Sequence, residues 1–152
     1  MGHSYTSSLY HCIFSTKDRH PLLTPDLRNR LFPFMGGIAR TNGMRMLEIG
    51  GIENHVHFLL SLPAPLSIAK AIQLIKGGSS KWVNDTFPGK RRSFAWQEGY
   101  GAFSISISQV SRTIRYIQNQ EEHHKRGKTF EQEFIAFLKR HGIEYDEKHV
   151  WG

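Results

Sequence analysis

Hydrophobic positions along the chain follow two periods, and the switches between them outline its elements. Tyr10-His11-Cys12-Ile13-Phe14-Ser15 is rich in β-formers and predicts a first strand. A helix follows Thr24-Pro25-Asp26, because Thr is a good N-cap and Pro is tolerated in the first turn; Leu27, Leu31, Phe34 and Ile38 then recur at helical spacing up to Asn42-Gly43. Two strand-like stretches come next, over 44–52 and 55–62, with Gly50-Gly51 and Glu53-Asn54 as a bulge or turn between them and Pro63 and Pro65 as their end. Ser67 caps a second helix with Ile68, Ala71, Ile72 and Ile75 on one face, and Gly77-Gly78 weakens its continuation to Trp82 and Val83. The stretch 94–103 reads as a fourth strand and 108–124 as a third helix. A last helix begins at Thr129, where Thr129 and Gln132 fit a capping box and Phe130, Phe134, Phe137 and Leu138 form the buried face.

The order β-α-β-β-α-β, followed by two helices, predicts an α+β fold: a ferredoxin-like split βαβ unit, an antiparallel sheet with helices on one face, plus C-terminal helices. No repeat or linker divides the chain, so 1–152 is expected to be one domain. At 152 residues and 39% hydrophobic content, it is long enough to build a core without staples. The single cysteine, Cys12, excludes a disulfide framework and a cysteine-based metal finger. No apolar run approaches the ~20 residues of a membrane span, and no leader-like apolar segment opens the chain. A cytoplasmic protein with no membrane partner is expected.

Charge adds a partner class. A formal net charge of +7 makes polyanions attractive. Lys76, Lys81, Lys90, Arg91 and Arg92 share a stretch with Trp82, Phe87, Phe94 and Trp96, and cations interleaved with aromatics suit single-stranded nucleic acid, which offers phosphates and π-faces together. A solvated basic loop beside ordinary core aromatics gives the same pattern.

Two constellations could carry chemistry. In His55-Val56-His57, strand alternation sends both imidazoles to one face, where they could share a metal ion or stand as two surface histidines. On the third helix, Ile107, Val110, Ile114 and Ile117 form the apolar stripe and Tyr116 projects away from it, which predicts a tyrosine free of packing duty. Gln120 lies one turn beyond Tyr116 and Arg112 one turn before it. This polar strip either faces a ligand or is a solvated helix face.

These residues carry a resemblance. Glu53-Asn54-His55-Val56-His57-Phe58-Leu59-Leu60, followed by Tyr116-Ile117-Gln118-Asn119-Gln120, resembles the IS200/IS605 family of single-tyrosine HUH transposases. Phe14-Ser15-Thr16-Lys17, Lys76-Gly77-Gly78-Ser79-Ser80 and Trp96-Gln97-Glu98-Gly99-Tyr100 match it in order, so the likeness covers 5–125, with a helical tail over 126–152 outside it. The resemblance implies that Tyr116 is the nucleophile and that His55, His57 and Gln120 hold a divalent metal ion. It implies single-stranded or hairpin DNA as partner, with Lys17, Lys76, Lys81, Arg91, Arg92 and Arg112 as candidate DNA contacts. It also implies a homodimer whose active sites take the histidines from one subunit and Tyr116 and Gln120 from the other.

The chemistry suits the residue types. A phenol with a pKa near 10 is a weak nucleophile at neutral pH and needs help toward a phosphodiester. Two imidazoles and an amide oxygen suit Mn²⁺ better than the harder Mg²⁺, although abundance favours Mg²⁺. Attack would leave a 5′-phosphotyrosine and a free 3′-OH. No nucleotide cofactor is needed, and no Walker-type motif is present. Three other readings remain: a host-adapted relative acting on dispersed palindromes, a non-catalytic RNA- or single-strand-binding ferredoxin-like domain, and a metal-dependent phosphodiesterase that uses water. The second lacks an RNP1-like aromatic run.

Overall fold

The computed structural model describes residues 2–87 and 94–152. Strands β1 (Leu9–Ser15), β2 (Arg45–Ile52), β3 (His55–Ser61) and β4 (Gly101–Ile105) form one antiparallel sheet in the order β2-β3-β1-β4. Helices α1 (Pro25–Thr41) and α2 (Ile68–Thr86) follow β1 and β3, and α3 (Val110–Gln118), α4 (Gln120–Lys125) and α5 (Phe130–Arg140) follow β4. This is the split βαβ order that the sequence predicts.

Alternation along β1 and β3 divides the core in two. Cys12, Phe14, Val56, Phe58 and Leu60 pack with Leu27, Leu31 and Met35 of α1 and with Ile72 and Ile75 of α2. Ile13 and Phe103 pack instead with Phe130, Phe134, Phe137 and Leu138 of α5. The C-terminal helices therefore cover the second face of the sheet, which the predicted one-faced unit leaves open. His55 and His57 sit on that second face, opposite Ser15 and Ile13 of β1, and are fully buried there.

Three local expectations change. The buried row of α1 is Leu27, Leu31, Met35 and Ala39 rather than one passing through Phe34 and Ile38. Phe34 stacks instead on Trp82 at 4.7 Å. Helix α2 continues through Gly77-Gly78, and Gly78 faces Ile38 of α1, whose Cδ1 would lie 2.8 Å from an added Cβ and would have to shift. Strand β4 starts at Gly101, not 94, because the preceding backbone is held by a side chain. The Lys76 ammonium donates to the carbonyls of Gln97 (2.7 Å), Glu98 (3.1 Å) and Gly99 (2.6 Å). With these donors engaged and its pKa lowered by burial to about 8, Lys76 serves as an internal brace.

The predicted third helix is broken at Asn119, which caps α3 with its N–H on the Tyr116 carbonyl. Helix α3 rests on β2 through Ile117, its one buried residue. A Cβ on Gly50 would lie 2.4 Å from the Ile117 carbonyl oxygen, so this seat depends on the glycine. Gly50→Ala should dislodge α3 and lower stability by about 1–3 kcal/mol, the usual cost of overpacking. Urea unfolding measures it, and an unchanged midpoint would contradict this seating.

Candidate active site

Five elements, α5 among them, converge on one point. Strand β3 supplies His55 and His57, β1 supplies His11, α3 supplies Tyr116, α4 supplies Gln120 and His124, and α5 supplies Glu133. Their centre is the Glu133 carboxylate. Its Oε1 lies 2.9 Å from His57 Nε2, 3.2 Å from His55 Nε2 and 3.4 Å from His124 Nε2. Its Oε2 accepts the Tyr116 hydroxyl proton in a hydrogen bond and lies 3.4 Å from Gln120 Nε2.

The hydrogen positions follow from these partners. His57 Nε2 faces the carboxylate and its Nδ1 faces His11 Nε2 at 2.8 Å. With no ion present Nε2 donates to Glu133, and the other tautomer, in which Nδ1 donates to His11, frees the Nε2 lone pair as a ligand. His55 Nδ1 donates to Asn54 Oδ1 at 2.8 Å. In the neutral ring this leaves a lone pair on His55 Nε2, which faces Gln120 Oε1 and Glu133 Oε1, each at 3.2 Å. These nitrogen and oxygen lone pairs face one another, with His57 Nε2 at 2.9 Å from Glu133 Oε1 and His124 Nε2 at 3.3 Å from Gln120 Oε1 at their edge. Such a set calls for a positive charge, and its nitrogen and oxygen ligands fit a divalent transition-metal ion. His55, His124 and Glu133 also offer ligand atoms within 4.8 Å of one another.

Burial pushes His57 down to about 4 and His11 well below its ordinary value, so both imidazoles are neutral. Burial alone would raise the Glu133 carboxyl. The surrounding histidines, His57 first and then His124 and His55, outweigh it and hold the group far below the usual carboxylate range. The Tyr116 phenol is pushed well above its ordinary value by burial and then by the Glu133 charge. The proton therefore rests on Tyr116.

The structure brings together all four residues singled out for catalysis and metal binding, within a single chain. Tyr116, however, is not free of packing: its ring lies against His123 at 4.5 Å and against Phe137 and His57 at 5.7 Å. Meanwhile Ile107, expected in the buried stripe, is 76% exposed. The candidate DNA contacts scatter. Lys17 is exposed in a turn after β1, Lys81 is exposed and paired with Asp85 at 2.6 Å, Arg112 is exposed on α3, and Arg91 and Arg92 lie outside the described residues. Lys76 is the internal brace described above. Sequence reasoning missed His11, His124 and Glu133. Glu133 had a readable signal, a carboxylate between Phe130 and Phe137 on the apolar face of an amphipathic helix.

Comparison with known proteins settles the family. Residues 4–120 match the family described as "Transposase IS200 like". The chain belongs to this transposase family. It is 25% identical over 126 residues to the ISDra2 transposase TnpA of Deinococcus radiodurans, covering 80% of this chain and 90% of that one. It is 24% identical over 132 residues to the transposase for insertion sequence element IS200 of Salmonella typhimurium, covering 84% and 86%. Among solved structures, a putative transposase from D. radiodurans superposes with a TM-score of 0.64 at 26% identity, covering 79% of this chain and 96% of that one. A REP-associated tyrosine transposase bound to a REP hairpin shares the fold, with a TM-score of 0.59 at 14% identity over 84% and 73% of the two chains. The family match ends at Gln120, so this transposase's His124 and Glu133 come from the segment beyond it.

Because His57 titrates at about 4 when folded and near its ordinary 6.5 when unfolded, the folded state binds fewer protons between those values. Stability should be full above about pH 6.5 and fall as pH drops toward 4. The depressed Glu133 carboxyl acts in the same direction at lower pH. Urea midpoints measured from pH 7 to pH 4 check this, and a flat profile would contradict a buried neutral His57.

Proposed function

We propose that this IS200-like transposase cuts and rejoins single-stranded DNA ends through Tyr116, with a divalent metal ion held by His55, His57 and Gln120 and with Glu133 Oε1 in the same donor set. The observation that carries the reading is the convergence of the phenol, the imidazoles and the amide on one buried carboxylate. An ion bound there would draw charge from the phosphate oxygens and align the phosphate. The chain's own groups do the rest. His123 and Phe137 fix the Tyr116 ring, and Glu133 Oε2, which already holds the phenolic hydrogen, is the acceptor for that proton when the tyrosine oxygen bonds to phosphorus. The bond to the 3′ oxygen breaks, leaving a 5′-phosphotyrosine and a 3′ end. Mn²⁺ suits the donors better than Mg²⁺.

Tyr116→Phe keeps the ring and its stacking, so DNA binding should change less than about threefold while cleavage falls by at least the ~10²–10⁴ that one positioned catalytic group supplies. Wild-type protein mixed with labelled hairpin DNA and Mn²⁺ should give a covalent adduct resistant to SDS. An equal adduct from Tyr116→Phe would place the nucleophile elsewhere.

The histidines and the tyrosine meet in one chain, which favours a first cut in cis. One observation favours the second reading, a homodimer with trans active sites: α3 is nine residues long with Ile117 as its one buried residue, so it could dock on a neighbour. Mixing His55→Ala and Tyr116→Phe proteins under subunit exchange separates the two. Cis sites leave the mixture inactive for the first cut, whereas trans sites give each heterodimer one intact site and restore cleavage.

A further inference from the structure

The metal-binding candidates are sealed in. His55 and His57 are 0% exposed, and Gln120 and Glu133 1%. A DNA strand must therefore reach Tyr116 from a side where the phenol meets open space. One cavity does this. It measures about 370 Å³ and lies between β4, the exposed side of α3 and the end of α5, with Tyr116, Arg112, Arg140 and His141 in its wall. The wall contains no carboxylate, and among the described residues neither arginine forms an ion pair. The other openings around the site differ in charge. The cavity beside His124 is lined by Glu53, Glu121, Arg28 and Lys125, and the larger one beside Gln120 by Glu121, Glu122 and Arg28. Arg28 is paired there with Glu121 at 3.5 Å and Lys125 with Glu122 at 3.7 Å. Among the described residues, it is on the Tyr116 side that a polyanion approaching the buried carboxylate centre meets arginines without a carboxylate partner.

We propose that this cavity seats the scissile phosphodiester and an adjoining nucleotide of the single strand, with Arg112 and Arg140 as its phosphate contacts; the assignment rests on Tyr116 being the nucleophile. Arginine suits the role because its planar donor fork matches two phosphate oxygens. The remaining wall suits a base. The exposed ring of His141 stacks on Phe103 with centroids 4.6 Å apart, and Phe137 carries the Arg140 guanidinium 5.0 Å above its ring. Ser104, Thr113 and Gln109 add hydroxyl and amide groups for a sugar or base edge. The volume falls in the ordinary range of small-ligand sites, about 300–1,000 Å³. Helix α5 would thus do two things from the segment beyond the family match: place Glu133 on the nucleophile and Arg140 on the strand.

The test uses full-length protein in the Tyr116→Phe background, which binds without cutting, and a fluorescent ten-nucleotide oligothymidylate as probe. Arg112→Ala with Arg140→Ala should weaken binding tenfold or more and flatten the log-log salt dependence by about 1.4, roughly 0.7 for each lost phosphate contact. Replacing both by lysine should restore most of the salt slope. Lys128→Ala with Lys139→Ala removes the same charge from exposed positions outside the cavity wall and should change affinity less than threefold. Equal losses in the two double-alanine proteins, or none in the arginine pair, would overturn the assignment. A probe carrying 5-iododeoxyuridine should crosslink at His141 or Phe103; crosslinks confined to other surfaces would also overturn it. With Tyr116 intact, an undiminished adduct in the arginine double variant removes the cavity and leaves the nucleophile standing. Loss of the adduct from wild type, with cavity-dependent binding retained, does the reverse.

Discussion

The Glu133 carboxylate is buried where desolvation works against its charge, and the site is arranged around satisfying it. One oxygen faces the imidazoles of His55, His57 and His124, and the other faces the Tyr116 hydroxyl and the Gln120 amide. Removing one hydrogen-bond partner of such a buried group typically costs about 1–3 kcal/mol, because the group is left under-satisfied. The same charge explains two separate features. With burial, it keeps the proton on Tyr116, and it holds His124 above its ordinary value against burial. The helix that carries it is packed over the second face of the sheet by Phe130, Phe134, Phe137 and Leu138. A carboxylate bridging the imidazoles and the phenol joins the candidate metal ligands to the proposed nucleophile.

The fold serves this arrangement through close approaches. Gly50 lets the α3 backbone rest on β2, and Gly78 of α2 faces Ile38 of α1. Lys76, bound to successive carbonyls, fixes the segment that leads into β4. Strand β3, paired on both sides, then presents His55 and His57 from the middle of the sheet. Tyr116 rides on a short helix in which Ile117 is the one buried residue, and is held by His123, Phe137 and Glu133 from the elements that follow.

Much of this was legible in the sequence. The Thr24, Ser67 and Thr129 caps mark helix starts because each side chain accepts from the N–H three residues on, and His55-Val56-His57 shows its face by strand alternation. What local patterns could not show were features decided by long-range contact. The α3–α4 break at Asn119 is invisible to a helical stripe that runs through it, and Tyr116 looked unburied because its packing partners, His123 and Phe137, lie beyond its own helix. Glu133 went unread because its neighbours Phe130, Phe134 and Phe137 explain α5 as an ordinary amphipathic helix. A lone carboxylate on such a face is the mark of a buried partner, and here the partners come from strand β3 and from two preceding helices.

Calorimetric titration of Mn²⁺ into full-length wild type and into Glu133→Gln tests this account most directly, because it reads the donor set without requiring DNA or turnover. The account predicts that the amide variant, its fold verified by circular dichroism, loses tenfold or more in Mn²⁺ affinity, in the range of about 10–100-fold seen when groups supporting a metal site are changed. Equal affinity in the two proteins would contradict it, and would leave Glu133 as a packing residue beside a site built from His55, His57 and Gln120 alone.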